Sequence, residues 1–173
     1  MPAADAFRFP ELKAGESDPD IAHHRAANLS EMNLRRIRSI TKPGGSRKEW
    51  SDELQLECYK THTGHSDVYG RIDPNRPAPT LTTKFHSISN GRFGHPTEDR
   101  AISTREGAAL QTFPDDYEFY ASFYGNSKHI GNAVPVLLAD ILGKAIVSHY
   151  QNYMKAGAEQ PVTNLWQAVG EEL

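Results

Sequence analysis

Residues 100–117 read R-A-I-S-T-R-E-G-A-A-L-Q-T-F-P-D-D-Y, with P-A-P-T-L-T-T before them at 77–83 and K-H-I-G-N-A-V-P after them at 128–135. Ser103 and Glu106 stand three apart ahead of an Ala-rich run, the pattern of a capping box. The serine hydroxyl can accept the backbone N–H of residue 106 while the glutamate reaches back to the N–H of residue 103, worth about 1 kcal/mol for the cap. The pattern predicts a short helix over Thr104–Thr112, ended at Phe113-Pro114 because a residue preceding proline is pushed out of the helical region. Asp115 and Asp116, following that proline, read as turn and cap residues rather than a carboxylate pair for acid–base or metal chemistry.

Outward from this stretch, Asn28–Ile40 is the first credible helix, with Asn28 or Ser30 as its cap and Pro43-Gly44-Gly45 as its stop. Arg35, Arg36 and Arg38 crowd its last turn, where cations complement the helix dipole or contact phosphate. Trp50–Lys60 fits a strand or a helical turn. D-V-Y-G-R-I (67–72) and Ala78–Thr83 are β-prone and are expected to form a hairpin-like pair across the Asp73-Pro74-Asn75 turn. Between Thr83 and Gly94 lies a polar loop, K-F-H-S-I-S-N-G-R-F-G, of the kind that carries recognition on a rigid frame. Val134, Leu137, Leu138, Ile141, Leu142, Ala145, Ile146 and His149 form a stripe at helical spacing within a helix expected over Asn132–Tyr153, with Pro135 in its first turn. So wide an apolar face needs a partner surface. Beyond Ala156 the pattern fades into a tail.

The 173 residues suffice for one domain with a core, and 11 Pro with 13 Gly predict a loop-rich fold. No apolar run approaches the roughly 20 residues of a membrane span, and the start of the chain has no signal-peptide pattern. The single cysteine, Cys58, allows no internal disulfide and fits a reducing cytoplasm. Net charge is -3, yet residues 21–105 hold fourteen Lys/Arg against nine Asp/Glu. That basic middle permits DNA binding without establishing it. Cys58, His62 and His65 look zinc-like, but a structural zinc site wants four ligands and no second cysteine exists, so no metal site is expected. His23 and His24, adjacent and therefore divergent, read as surface residues.

The three strings P-T-L-T-T, R-A-I-S-T-R-E-G-A-A-L-Q-T-F-P-D-D-Y and I-G-N-A-V-P resemble the last two conserved blocks of the DNA (cytosine-5) methyltransferases, in order. H-R-A-A-N-L-S-E-M-N-L-R-R-I (24–37) is similar to the family's lead into its target-recognition region. The resemblance implies an α+β, loop-rich fold: a recognition region with short antiparallel strands, and a C-terminal helix that packs on a Rossmann-like methyltransferase domain missing from this chain. It divides the chain into a lead-in (1–27), the recognition region with the penultimate block (28–125), the closing helix (126–155) and a tail (156–173).

The same resemblance sets the expected chemistry. The family methylates carbon 5 of a flipped cytosine from S-adenosylmethionine, with a Pro-Cys nucleophile, a Glu-Asn-Val acid and a glycine-rich donor site. None of the three strings occurs in these residues, so no catalytic residue is assigned; Cys58, in L-E-C-Y, reads as an inert thiol. Thr80 matches the position that contacts phosphate beside the flipped base, with β-propensity as its plain alternative. The loops Gly64–Arg71 and Lys84–His95 match places where the family reads base edges. Arg71 and Arg92 are the leading readers there, because a guanidinium can pair with guanine O6 and N7; Ser66, Asp67, His86, Ser87 and Asn90 follow. Asn132, Ala133 and Val134, at an expected helix start, match the block that closes over S-adenosylmethionine and so form a partial cofactor site. Arg105 and Glu106 are expected to brace the recognition region. The implied partners are double-stranded DNA and a catalytic domain or subunit on another chain, with no membrane. The alternative is a stand-alone, non-catalytic DNA-binding module.

Overall fold

The structure, a computed structural model, describes residues 2–61 and 67–155. It separates into two compact units, Met1–Pro135 and Val136–Leu173. The expected tail, 156–173, lies outside the described residues.

The first unit is built on four short helices: α1 (Glu31–Arg38), α2 (Glu57–Thr61), α3 (Thr104–Leu110) and α4 (Phe123–Asn132). Short 3-10 segments lie before α1 at Ala3–Phe7, between α1 and α2 at Arg47–Glu49 and Asp52–Leu54, and between α2 and α3 at Ile88–Asn90. Ser30 caps α1 by accepting from Asn33 N. In α3 both halves of the capping box are present: Glu106 N donates to Ser103 Oγ (3.1 Å) and Ser103 N donates to Glu106 Oε2 (2.6 Å).

The expected antiparallel strands are absent: the described residues are helix-rich and contain no β-strand, only isolated bridges. Residues 67–72 and 78–83 do not pair with each other. Arg71 instead bridges Gly94, and Gly94 bridges Ala101 on its other side. The chemistry of the second segment accounts for this. Pro77 and Pro79 have no N–H to give to a ladder, so Leu81 is buried from an irregular run rather than from a strand. At the crossing a Cβ on Gly94 would stand 2.7 Å from Ile37 Cδ1 and 2.9 Å from Gly70 O, so only glycine lets three segments meet there.

Two apolar clusters fill this unit. One gathers Ile72, Phe85, Phe93, Ile102, Ala108 and Ile130 around α3 and α4; the other gathers Ile37, Ile40, Trp50, Tyr69 and Ile88 beside α1. His24 is also interior, with no exposed surface. Its Nε2 lies 2.8 Å from Pro10 O and its Nδ1 3.0 Å from Ser103 Oγ. That corrects the surface placement expected from its sequence neighbours. Two polar partners satisfy the ring, and so it can be buried.

The second unit begins with α5 (Val136–Lys155). The helix expected over Asn132–Tyr153 starts later: a separate helix, α4, ends at Asn132, Ala133 is extended (ψ 147°), and α5 starts one residue after Pro135. The proline ring keeps the preceding residue from continuing a helix. Helix α5 buries none of its side chains, and Leu137, Ile141, Leu142, Ile146, Val147 and Tyr150 are each more than half exposed. By length and composition the segment Phe123–Lys155 is apolar enough to cross a membrane. Counting uninterrupted apolar residues misses this, because Asp140 and Lys144 interrupt the run. Those two pair across one turn at 2.6 Å.

Candidate nucleic-acid interface

Arg71, a leading base reader by sequence, is 4% exposed and spends its guanidinium inside the protein. Nε donates to Ile40 O (2.6 Å), Nη1 to His95 O (3.0 Å) and Glu98 O, and Nη2 to Ile37 O (3.0 Å) and Asp99 Oδ1 (2.6 Å). Five N–H groups meet five acceptors, and a guanidinium has only five. Arg71 thereby ties the C-terminal end of α1 to the 94–101 crossing.

Arg92 keeps partial access, with 23% of its side chain exposed. Nε donates to Asp67 Oδ1 (2.7 Å), and Nη1 donates to Gly44 O (2.7 Å) and Gly45 O (3.0 Å). A Cβ on Gly70 would fall 2.9–3.0 Å from Nη1, Cγ and Cζ of Arg92, so the bare glycine lets the arginine lie across the backbone. Asp67 remains 67% exposed on its side chain. A 2.7 Å bond from Tyr69 N to Ile88 O fastens this segment to the Ile88–Asn90 turn. In that turn Ser89 Oγ sits 2.9 Å from Ser87 Oγ and accepts from Asn90 Nδ2 (3.3 Å). The structure therefore brings Asp67, Ser87, Asn90 and Arg92 into one connected patch. Ser66, like His62 and His65, lies outside the described residues.

His86 stands apart from that patch. Its ring packs edge-on against Phe123 (5.7 Å) and Tyr124 (5.0 Å) of α4. Burial, reinforced by the nearby Lys84 charge, lowers its pKa, so the ring is neutral at pH 7. Thr80 is exposed on the irregular 77–82 run. The end of that run abuts α4: a Cβ on Gly131 would lie 2.4 Å from Thr82 O and 2.7 Å from Thr83 N. The P-T-L-T-T and I-G-N strings thus touch through backbone.

Asn132 is the last residue of α4, and Ala133 and Val134 lie in the break before α5, so none of the three stands at a helix start. Gln111 fixes that break, its Nε2 donating to Ile130 O (3.0 Å) and Ala133 O (3.2 Å). Sequence reasoning passed over Gln111. Its one signal is position, as the polar residue ending a buried Ala-rich helix. Asn132 and Val134 are left exposed.

The first unit also holds a buried ionic lattice. Arg100, fully buried, donates Nη2 and Nη1 to Glu106 (2.7 and 2.8 Å) and Nε to Glu98 (2.8 Å). Burial alone would raise the Glu106 pKa; the Arg100 hydrogen bonds and charge more than offset this and lower it. His95 is pushed down to about 4, chiefly by burial, against the opposing pull of Glu106. Its Nδ1 accepts from Glu98 N (3.0 Å), which leaves the neutral ring's proton on Nε2, 3.2 Å from Glu98 Oε1. Arg105, 1% exposed, donates to Ala22 O, Pro114 O and Tyr117 O. Arg105 and Glu106 hold loops together, and Asp115 pairs with Arg8. Cys58 is exposed.

Known proteins bear on these residues as follows. Residues 10–148 match the family described as C-5 cytosine-specific DNA methylase. The chain is 48% identical over 129 residues to the type II methylase M.HgiDII of Herpetosiphon aurantiacus, an alignment that takes in 71% of this chain and 36% of that protein. It is 36% identical over 137 residues to the type II methyltransferase M.AquIB of Picosynechococcus sp., covering 73% of this chain and 87% of that protein. It is 31% identical over 164 residues to DNA (cytosine-5)-methyltransferase 3 of Arabidopsis thaliana, covering 80% of this chain and 12% of that protein. The chain thus spans about a third or less of the length of the first and third of these relatives, and most of the second.

Proposed function

The chain belongs to the C-5 cytosine-specific DNA methylase family, and on that premise we propose that it supplies DNA recognition and cofactor-pocket closure for methyl transfer from S-adenosylmethionine to carbon 5 of cytosine in duplex DNA. The nucleophile and the main donor site sit on a catalytic domain or subunit outside these residues. The observation that carries this reading is α5: twenty residues, none buried, with apolar side chains along its length. In water such a face is an unmet interface. Its two mid-helix charges, Asp140 and Lys144, pair with each other, and the family match runs on to residue 148, so a protein surface is the better cover for it than lipid. That 87% of M.AquIB aligns with this chain supports a methyltransferase polypeptide of about this size working as a separate piece.

The stretch we assign to S-adenosylmethionine is Asn132–Val134, where Gln111 holds the carbonyls of residues 130 and 133. Asn132 offers an amide there, and the cofactor would bring the methyl group. For DNA, the exposure of Thr80 supports a phosphate contact, and the patch of Asp67, Ser87, Asn90 and Arg92 is the part we assign to base edges.

The test is reconstitution. Mixed with a companion polypeptide bearing the cysteine nucleophile, this chain should restore transfer of labelled methyl groups to duplex DNA, with neither piece active alone. Robust methylation by this chain unaided would overturn the reading. A second reading, a non-catalytic DNA-binding module, draws on the unit Met1–Pro135 having its own core. It requires the chain alone to bind duplex DNA with affinity that falls steeply with salt.

A further inference from the structure

We propose that the group reading a base edge in this patch is the Asp67 carboxylate, with Arg92 acting as its positioning residue rather than as a reader of guanine. This deepens the DNA-recognition reading and rests on it. The argument starts from which donors and acceptors the fold leaves available. Arg71 has none, as all five of its N–H groups end on protein oxygens. Arg92 has committed Nε and Nη1 to Asp67, Gly44 and Gly45. Bidentate capture of guanine needs two neighbouring N–H groups in one plane, and reaching it would break contacts that the bare Gly70 was needed to allow. Asp67 is in the opposite condition. One oxygen is anchored at 2.7 Å, the side chain is 67% exposed, and Oδ2 has no partner among the described residues.

Electrostatics agrees. A lone carboxylate on a surface meant for phosphates is repelled. Paired to a guanidinium that itself rests on two carbonyls, it keeps an acceptor lone pair while the pair carries no net charge. An acceptor without a donor selects an amino group, and in the major groove the one recognised by Asp is cytosine N4. The substrate feature assigned is therefore an amino-bearing base, cytosine, in the recognition sequence. The Tyr69–Ile88 backbone bond holds the reader in register with the Ser87–Asn90 turn.

The experiment selects duplexes from a randomised pool with the chain together with its catalytic companion, then compares wild type, Asp67→Asn and Arg92→Gln. Asp67→Asn, which replaces an acceptor by a mixed donor and acceptor, is expected to lower discrimination at one G·C pair by about ten-fold while other positions hold. Arg92→Gln is expected to blur that same pair and to leave the salt dependence unchanged, because the assignment gives Arg92 no phosphate contact. Replacing guanine by 7-deazaguanine at that pair should change little, since cytosine N4 is untouched. Unaltered selectivity in Asp67→Asn overturns the assignment, as does strong sensitivity to 7-deazaguanine, which would return the role to an arginine. If the wild-type pair of chains selects no DNA at all, it is the DNA-recognition reading itself that falls, and this assignment with it.

Discussion

The unit Met1–Pro135 keeps Arg71, Arg100, Arg105 and Glu106 in its interior, while α5 carries Leu137, Ile141, Leu142 and Ile146 on its outside. Each arrangement inverts the ordinary one, and they teach different things. Buried charge is tolerable where every charge meets a partner inside the same fold, and here Arg71, Arg100 and Arg105 end on named carbonyls or carboxylates. The first unit is therefore electrostatically closed. Exposed apolar surface has no such internal remedy, and the side chains of α5 are left exposed.

The contrast can be broken most severely from the closed side. Glu106→Ala leaves Arg100 buried without its main partner, and should cost about 3–5 kcal/mol, seen as a large drop in the urea midpoint. Acidification tests the same lattice more gently. His95 has its pKa lowered in the fold to about 4 from the usual 6.5, so the unfolded chain takes up that proton first as pH falls. Its contribution is complete above pH 6.5 and is lost progressively between 6.5 and about 4. That loss is on the order of 3 kcal/mol, measurable by thermal unfolding across that range and reduced in His95→Gln.

Gly131→Ala would drive a Cβ into the Thr82 carbonyl, 2.4 Å away, and should destabilise by about 1–3 kcal/mol, read from denaturant unfolding. Ser103→Ala removes the cap of α3 and the hydroxyl beside His24, with an expected cost of about 1–2 kcal/mol by the same assay. The smallest effect belongs to the open side. Ile146→Glu on α5 should alter the unfolding of the isolated chain by less than about 0.5 kcal/mol, yet abolish reconstituted methyl transfer. A large loss of stability would mean that the face is already covered.

Much of this was legible in advance where chemistry is local. The Ser103–Glu106 box and the bracing role of Arg105 and Glu106 follow from residues close in sequence or from the family strings, while for α1 the sequence offered Asn28 or Ser30 and the structure uses Ser30. The failures share a cause. The β-prone residues at 67–72 and 78–83 fit strands one by one, but Pro77 and Pro79 removed the donors a ladder needs, and Gly94 drew Arg71 into a different crossing. The helix boundary at Asn132 was misplaced because the apolar stripe continues smoothly across Pro135 while the backbone does not.

What the sequence determined by itself, then, was the family, the caps and the order of its functional strings, since these depend on neighbours within a turn or on strings read as wholes. Tertiary structure alone decided what each arginine can do. Arg71 and Arg92 look alike in sequence, but the acceptors that consume Arg71 arrive from 24 to 34 residues away. No local pattern records that meeting, because hydrogen-bond saturation belongs to the folded neighbourhood and not to the residue.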